Sequence, residues 1–184
     1  METKDIDILL KKSYEEYNNG NYGETIQLLK TIMHEEKKVS FWYYSRLSSC
    51  YYELKDYENA LGYAKIAYKM KPKSPLVLWD YAGVLIMVKK EKRAIELLKR
   101  IQEMEDDFTV YKFEKSLIKW MQSIKNDANF QIGHAYYIIR EDRLAKDYYL
   151  KHLSQRKKGL KSIYSKKQVL SYLKKLNPDI IDAT

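Results

Sequence analysis

The stretch Tyr44–Pro72 reads YSRLSSCYYELKDYENALGYAKIAYKMKP, and its pattern decides the fold. Tyr44, Leu47, Tyr51 and Leu54 follow one another at steps of three or four residues, which is the spacing of one face of an α-helix. A polar Lys-Asp pair then interrupts the pattern before a second helical segment begins. The stretch therefore predicts two helices joined by a tight turn.

The same pattern recurs on both sides of this stretch at steps of 34 and 35 residues. Small residues take equivalent places in both predicted helices of each unit. They are Ser13, Ser48 and Ala82 in the first helices, and Thr25, Ala60 and Ala94 in the second helices. Antiparallel helices approach closely only where side chains are small. We therefore expect six antiparallel helices, in three stacked pairs, over residues 5–106.

A 34-residue helix–turn–helix unit of this kind resembles the tetratricopeptide repeat. The copy at residues 44–72 carries the paired Tyr51 and Tyr52, then Tyr57 after the turn, and it closes at Pro72. The flanking copies depart from the family pattern, and the third also lacks the turn Gly and ends in Asp106 where Pro is expected. The first copy has Thr25 in place of Ala, and the third has Glu91 in place of an aromatic residue.

The resemblance covers residues 5–106 and assigns three repeats to about 5–38, 40–73 and 74–107. It implies an all-α solenoid of stacked antiparallel helix pairs, wound into a right-handed superhelix of about ten helices. Residues 108–184 are expected to be degenerate repeats or C-terminal capping helices.

Two framings remain open for that C-terminal part. One matches Gly133, Tyr136, Tyr137, Ala145 and Tyr149 to a repeat, leaving residues 109–125 as an extra helix. The other keeps a step of about 35 residues, and this places two degenerate repeats in the tail. Both predict helices near residues 109–125, 128–140, 142–157 and 165–177.

The composition excludes several classes of protein. A single Cys50 cannot form an internal disulfide, so a disulfide-rich secreted scaffold is excluded and a reducing compartment is favoured. The first residues lack the basic and apolar regions of a signal peptide. No stretch of the chain is apolar enough for a membrane span. We expect a soluble, cytoplasmic protein.

Catalytic or cofactor chemistry finds little support in the sequence. His34, His134 and His152 are far apart and lack the spacing of metal ligands. Cys50 lies inside a predicted helix and is interpreted as a small buried thiol. No glycine-rich phosphate loop occurs. We therefore expect no enzymatic activity, no metal and no cofactor.

The resemblance implies a binding groove along the first helix of each pair. The groove positions implied are Tyr14, Tyr17, Asn18, Trp42, Ser45, Ser49, Tyr52, Trp79 and Gly83. Tyr and Trp offer a large contact area with few rotors, which suits capture of a peptide. For Tyr17 and Tyr52, and equally for Trp42 and Trp79, simple packing between helices remains the alternative.

The groove chemistry bears on the kind of partner. Some tetratricopeptide-repeat proteins hold a C-terminal carboxylate of a chaperone with Lys and Asn at these positions, whereas this chain has Leu10, Tyr14, Ser45 and Ser49 there. An aromatic groove flanked by acidic residues is expected to take an apolar or basic segment.

The leading hypothesis is a non-enzymatic adaptor, regulator or inhibitor that holds a peptide or helix of a protein partner. The alternative is binding of nucleic acid or an acidic surface, since residues 109–184 hold 16 basic and 7 acidic residues and the chain carries a net charge of +9. The basic patch is made of Arg156, Lys157, Lys158, Lys161, Lys166 and Lys167. A solvated face is the competing interpretation, because most of these residues are Lys.

Overall fold

A computed structural model describes residues 3–104, 115–157 and 159–177. Within these ranges the chain forms nine helices and no strand. The helices are α1 (Thr3–Asn18), α2 (Tyr22–Glu35), α3 (Phe41–Glu53), α4 (Tyr57–Met70), α5 (Pro75–Met87), α6 (Glu91–Gln102), α7 (Lys115–Ile138), α8 (Asp142–Lys157) and α9 (Lys166–Leu176). The all-α prediction is confirmed, and each of the six helices expected within residues 5–106 is present.

The helices begin and end where local chemistry favours it. Ser74 precedes α5, its Oγ accepts the Val77 N–H at 3.5 Å, and Pro75 occupies the first turn, where its missing N–H costs nothing. Asp56 precedes α4 and accepts the Asn59 N–H at 3.2 Å. These caps satisfy N–H groups that have no partner inside the helix.

One residue with positive φ lies two residues after the end of each of α1, α3, α5 and α7. The four residues are Gly20 (φ 81°), Lys55 (φ 61°), Lys89 (φ 58°) and Arg140 (φ 65°). Each lies seven residues after a small helix residue, which is Gly133 in the last case. The turn at Arg140 therefore matches the framing in which Gly133 occupies the small position of a repeat.

The chain divides into two compact units, Met1–Val88 and Lys89–Thr184. This division falls within the third expected repeat. In the first unit, α1 to α5 pack in sequence, and α3 also contacts α5. The core of the first unit contains Leu29, Ile32, Leu47 and Cys50, all with no exposed surface. Ser48 is also fully buried, and its Oγ donates to the Ala60 carbonyl oxygen at 2.9 Å, which joins α3 to α4 at the expected small positions.

In the second unit, α6, α7, α8 and α9 pack in order along the chain. Its core contains Phe130, Ala145, Tyr149, Val169 and Leu173. None of the helices in the described ranges is both long and apolar enough to cross a bilayer.

The prediction of separate helices at 109–125 and 128–140 is wrong for the part the structure describes. The single helix α7 continues without interruption through residues 126–128. The polar run there is not a loop, because Asn126, Asp127 and Asn129 are buried within the fold. Residues 105–114 lie outside the described residues, as do Lys158 and residues 178–184.

Candidate functional site

The first helices of the first unit bring an arginine and three aromatic rings together. Arg46 on α3 places its Cζ 3.9 Å from the ring centre of Tyr17 and 5.7 Å from that of Tyr14, both on α1. The same Cζ lies 5.1 Å from the ring centre of Trp42, and the Tyr14 and Trp42 rings are 4.8 Å apart. Cations are attracted to the faces of aromatic rings at such distances. We call these four residues the arginine–aromatic cluster.

The guanidinium of Arg46 makes no hydrogen bond or ion pair with any residue the structure describes. It is only partly exposed to solvent. A guanidinium carries five N–H donors. The cluster therefore presents hydrogen-bond donors beside apolar ring surface, which is the combination that a peptide carbonyl or carboxylate next to an apolar side chain would satisfy.

Asp80 on α5 adds a titratable group to this face. Ser45 Oγ donates to Asp80 Oδ2 at 2.5 Å, and Ser49 Oγ donates to the Ser45 carbonyl oxygen at 3.2 Å. Burial raises the pKa of the Asp80 carboxyl to about 6, although the hydrogen bond from Ser45 and the charge of Arg46 act in the opposite direction. Helices α1, α3 and α5 thus contribute to one face of the first unit, and we call this face the groove.

The structure places most of the expected groove residues at partly or fully exposed positions. Tyr14 is 42% exposed, and Asn18 is exposed as well. The half-buried members are Tyr17, Trp42, Ser49, Tyr52, Trp79 and Gly83. Ser45 is different because it is buried at 3% exposure, so it holds Asp80 and does not itself face solvent.

Two of these aromatic residues also have packing roles. Tyr52 meets Tyr57 edge to face at 5.7 Å and packs against the core cluster that contains Ala60 and Ala64. Trp79 keeps part of its surface exposed, whereas its Nε1 is buried with no hydrogen-bond partner among the described residues.

Arg46 is the site residue that the sequence-based prediction of the groove did not include. It follows Trp42 by four residues and precedes Ser49 by three, so all three residues lie on the same face of α3. That spacing is the signal that could have found it. Its cation also changes the expected chemistry, because a groove that we expected to be only aromatic and acidic has a positive centre.

The described residues offer no catalytic arrangement. Cys50 is fully buried, and burial raises the pKa of its thiol to about 12, so it is not a thiolate at neutral pH. Ser162 Oγ lies 3.4 Å from His152 Nε2, but the His152 ring is completely buried and its Nδ1 is 2.9 Å from the Asn126 carbonyl oxygen. Nδ1 must carry the proton there, because a carbonyl only accepts. No group of three His, Cys, Asp or Glu side chains in the described part is arranged to hold a metal ion.

The basic patch lies in the second unit and is only partly a surface of cations. Arg156 donates to the Tyr164 carbonyl oxygen, and the Tyr164 ring stacks on Phe130 at 3.9 Å. Tyr172 packs among His134, Tyr137 and Tyr149. The rings that the sequence places among the cations are therefore packed against other side chains. The exposed members of the patch are Lys157, Lys161, Lys166 and Lys167, and Lys158 lies outside the described residues.

Comparison with known proteins gives likeness at the level of fold. No family model matches the chain, and no curated protein matches its sequence. Among solved structures, a tetratricopeptide repeat protein from Parabacteroides merdae ATCC 43184 is similar with a TM-score of 0.63 at 16% identity, over 95% of this chain and 61% of that one.

Two further solved structures are similar over most of their own lengths. MamA residues 41 to the end, from Desulfovibrio magneticus RS-1, gives a TM-score of 0.62 at 15% identity, over 93% of this chain and 92% of that one. PcrH from Pseudomonas aeruginosa gives 0.56 at 12% identity, over 70% of this chain and 94% of that one. At these identities the likeness establishes the helical-repeat fold and carries no activity or partner.

Proposed function

We propose that this chain, which has the fold of tetratricopeptide-repeat proteins, is a non-enzymatic module that holds a segment of a partner protein in the groove. The observation that carries the proposal is Arg46. Its guanidinium is half-buried among Tyr14, Tyr17 and Trp42 and has no hydrogen-bond acceptor among the described residues. Solvent reaches these N–H groups in the free protein, so they are available to an acceptor on a bound peptide.

The chemistry of the groove suggests what the segment contains. The exposed ring of Tyr14 and the adjoining Trp42 favour an apolar or aromatic side chain as the anchor. Arg46 favours a carbonyl or carboxylate oxygen close to that anchor. We therefore propose a short peptide or one face of a helix that carries an apolar residue next to an acceptor, in place of the purely apolar or basic segment expected from the sequence.

Selection of peptides on the purified full chain tests this proposal. Random peptides would be selected for binding, and the affinity of the best ones measured by fluorescence anisotropy. We expect Arg46→Gln and Trp42→Ala each to weaken binding by about 1–3 kcal/mol, as anchors of an interface do. Lys65→Gln, on the exposed surface of α4, is the matched control and should leave affinity unchanged.

Circular dichroism of each variant would separate loss of binding from loss of fold. Selected peptides that bind Arg46→Gln and Trp42→Ala as tightly as the native chain would contradict the groove as the binding site. So would a selection that returns no peptide dependent on the first unit.

A further inference from the structure

The segment between α8 and α9 carries the most exposed of the large apolar side chains that the structure describes. Ile163 is 70% exposed, ahead of Ile8 at 60%. It lies two residues before Ser165, the N-cap of α9, in a stretch without regular secondary structure. Single exposed apolar residues are common on protein surfaces, so the meaning of this one depends on how it is held and on what surrounds it.

Hydrogen bonds on both sides of Ile163 fix the backbone that presents it. The Ile163 N–H donates to Asp127 Oδ2 at 3.2 Å, and the Tyr164 N–H donates to Ser162 Oγ at 3.0 Å. The ring of Tyr164 stacks on the buried Phe130 at 3.9 Å. The segment is therefore tied to α7 while the Ile163 side chain lies in solvent. Such preorganisation lowers the entropic cost of burying the side chain against a second surface.

Helix α9 adds a second exposed apolar side chain, and lysines surround it. Leu170 is 42% exposed. Lys166 and Lys167 precede it by four and three residues and Lys174 follows it by four, so these lysines share its face of the helix. All three lysines are exposed, and none forms an ion pair with a residue in the described ranges.

Positive charge extends along the chain on both sides of Ile163. Residues 148–177 hold nine Lys and Arg and no Asp or Glu. Asp127, whose carboxylate accepts the Ile163 N–H, is buried at 5% exposure. Exposed apolar side chains and exposed lysines thus lie together in this part of the second unit. We call the following residues the basic–apolar surface: Lys157, Lys161, Ile163, Lys166, Lys167, Leu170 and Lys174.

Apolar side chains set among lysines match the surface of an anionic lipid bilayer. Ammonium groups are attracted to anionic headgroups, and clusters of about four to eight basic residues favour such binding. An aliphatic side chain gains free energy when it enters the boundary between headgroups and acyl chains. A single-stranded nucleic acid would attract the lysines but would leave Ile163 and Leu170 in water, because bases stack on aromatic rings. The combination therefore favours a bilayer over a nucleic acid.

We propose that the basic–apolar surface binds an anionic lipid bilayer reversibly, with its lysines at the headgroups and Ile163 and Leu170 inserted at the interface. Charge attraction and apolar insertion are each weak, and together they give membrane association. The surface belongs to the second unit, so this function and the proposed capture of a peptide in the first unit can fail independently.

Co-sedimentation of the full chain with lipid vesicles measures this binding. Vesicles of phosphatidylcholine with about 30% phosphatidylserine are compared with vesicles of phosphatidylcholine alone. We expect half-maximal binding to the anionic vesicles at about 0.1–1 mM lipid, a loss of affinity as salt rises, and no binding to the neutral vesicles. Absence of binding to the anionic vesicles at about 5 mM lipid and low salt overturns the proposal.

Substitutions at Ile163 test the insertion of its side chain. Ile163→Ser should weaken binding to anionic vesicles about fivefold, because the apolar contribution is lost. Its matched control is Ile8→Ser on α1, also at an exposed isoleucine, which should change the affinity less than about twofold. Ile163→Trp reports the depth directly. Its fluorescence should shift to shorter wavelength with anionic vesicles by more than that of the native chain, and it should not do so with single-stranded RNA.

Lysine substitutions test whether the charge acts at this surface. Lys166→Gln combined with Lys167→Gln should weaken binding at least about tenfold. The same changes at the exposed Lys37 and Lys38 of the first unit are the control and should have less than about a twofold effect. All these side chains are exposed, so the variants should unfold at the native temperature.

Two results would overturn the proposal even if the anionic vesicles bind. Equal losses from the two lysine pairs would show that net charge alone governs the binding. Native affinity of Ile163→Ser, together with no spectral shift of Ile163→Trp, would show that no side chain inserts, and the surface would then be a general site for polyanions such as RNA.

Discussion

Gly133 lies where α7 packs tightly against α8. A Cβ built on it would be 3.0 Å from Tyr149 Cδ1 and 3.2 Å from the Ala145 carbonyl oxygen. A real Cβ at those distances forces the ring or the helix to move. The small residue at this position is thus demanded by packing, as the repeat pattern predicts for Ser13, Ser48 and Ala82.

Gly133→Ala should therefore destabilise the second unit by about 1–2 kcal/mol, because overpacking outweighs the gain in helix propensity. Gly62 in α4 provides the matched control, since a Cβ there would meet nothing within 4 Å. Gly62→Ala should stabilise the chain by about 0.5–1 kcal/mol. Urea unfolding measures the free energy of unfolding of both variants. If Gly133→Ala is as stable as Gly62→Ala, the packing of α7 against α8 at Gly133 is not tight.

Asp80 makes the stability of the first unit depend on pH. Burial is the main reason that its pKa rises from an ordinary 3.8 to about 6 in the folded chain. A raised folded pKa means that the contribution to stability is fully present below the unfolded value and is lost as the pH rises through about 6.

Asp80→Asn removes this titration and keeps an oxygen that accepts from Ser45. We expect the variant to be more stable than the native chain at pH 7.5 by about 1 kcal/mol, a value reduced because the side chain is partly exposed. The difference should shrink towards pH 4.5. Urea unfolding at both pH values measures it, and a difference that does not change with pH would show that Asp80 titrates normally.

For single residues, the sequence predicts the place in the repeat better than it predicts which residues a side chain contacts. The small positions of the repeat follow from periodicity alone, and the structure buries Ser13, Ser48 and Ala82 as expected. The large positions vary, since Leu47 is fully buried whereas Leu54 is 51% exposed. The spacing of Arg46 from Trp42 and Ser49 indicates its face of α3, but its contacts with Tyr14 and Tyr17 of a different helix do not follow from periodicity.

At the scale of elements, the turns between paired helices carry backbone strain that the sequence does not relieve. Gly20 adopts its positive φ without cost, whereas Lys55, Lys89 and Arg140 adopt theirs against the repulsion of a Cβ. Of these four turns, only the one at Gly20 has a glycine at the position of positive φ.

Lys55→Gly and Arg140→Gly should each stabilise the chain, by about 0.5–1 kcal/mol, after the entropy that glycine adds to the unfolded chain is subtracted. Lys65→Gly in the interior of α4 is the control and should destabilise by about 1 kcal/mol. Thermal unfolding compares the three variants. If Lys55→Gly and Arg140→Gly are as destabilising as Lys65→Gly, the turns are not strained.

Element boundaries were predictable wherever a turn residue or a cap marks them, as at Asp56, Ser74 and Gly20. The prediction of a boundary failed at residues 126–128, where a polar run looked like a break between helices. Asp127 accepts the Ile163 N–H at 3.2 Å through Oδ2, and Gln131 donates to the Tyr164 hydroxyl at 3.0 Å. When polar residues are buried by segments far away along the chain, the sequence around them looks the same as that of a loop.

At the scale of the whole molecule, the two compact units differ in net charge. The first unit, residues 1–88, has equal numbers of acidic and basic residues, and the second unit carries the entire excess of +9. Tyr164 and Tyr172 are half-buried against other rings, which reduces the aromatic surface they offer to a single-stranded nucleic acid. The described cations of the basic patch that face solvent are the exposed lysines Lys157, Lys161, Lys166 and Lys167.

Binding of nucleic acid should consequently be weak and governed by counterion release. We expect single-stranded RNA and DNA to bind with a Kd no tighter than about 10⁻⁶ M at physiological salt, with affinity falling by a log–log slope of about −0.7 for each phosphate contact. Labelled strands titrated at two salt concentrations measure both quantities. Replacing Lys157, Lys161 and Lys166 by Glu should abolish this binding. The control is the same change to Glu at the exposed Lys37, Lys38 and Lys65 of the first unit, and it should have little effect on the affinity. Binding that is tighter, survives moderate salt and still depends on the first three lysines would place nucleic acid ahead of a peptide as the partner of this chain.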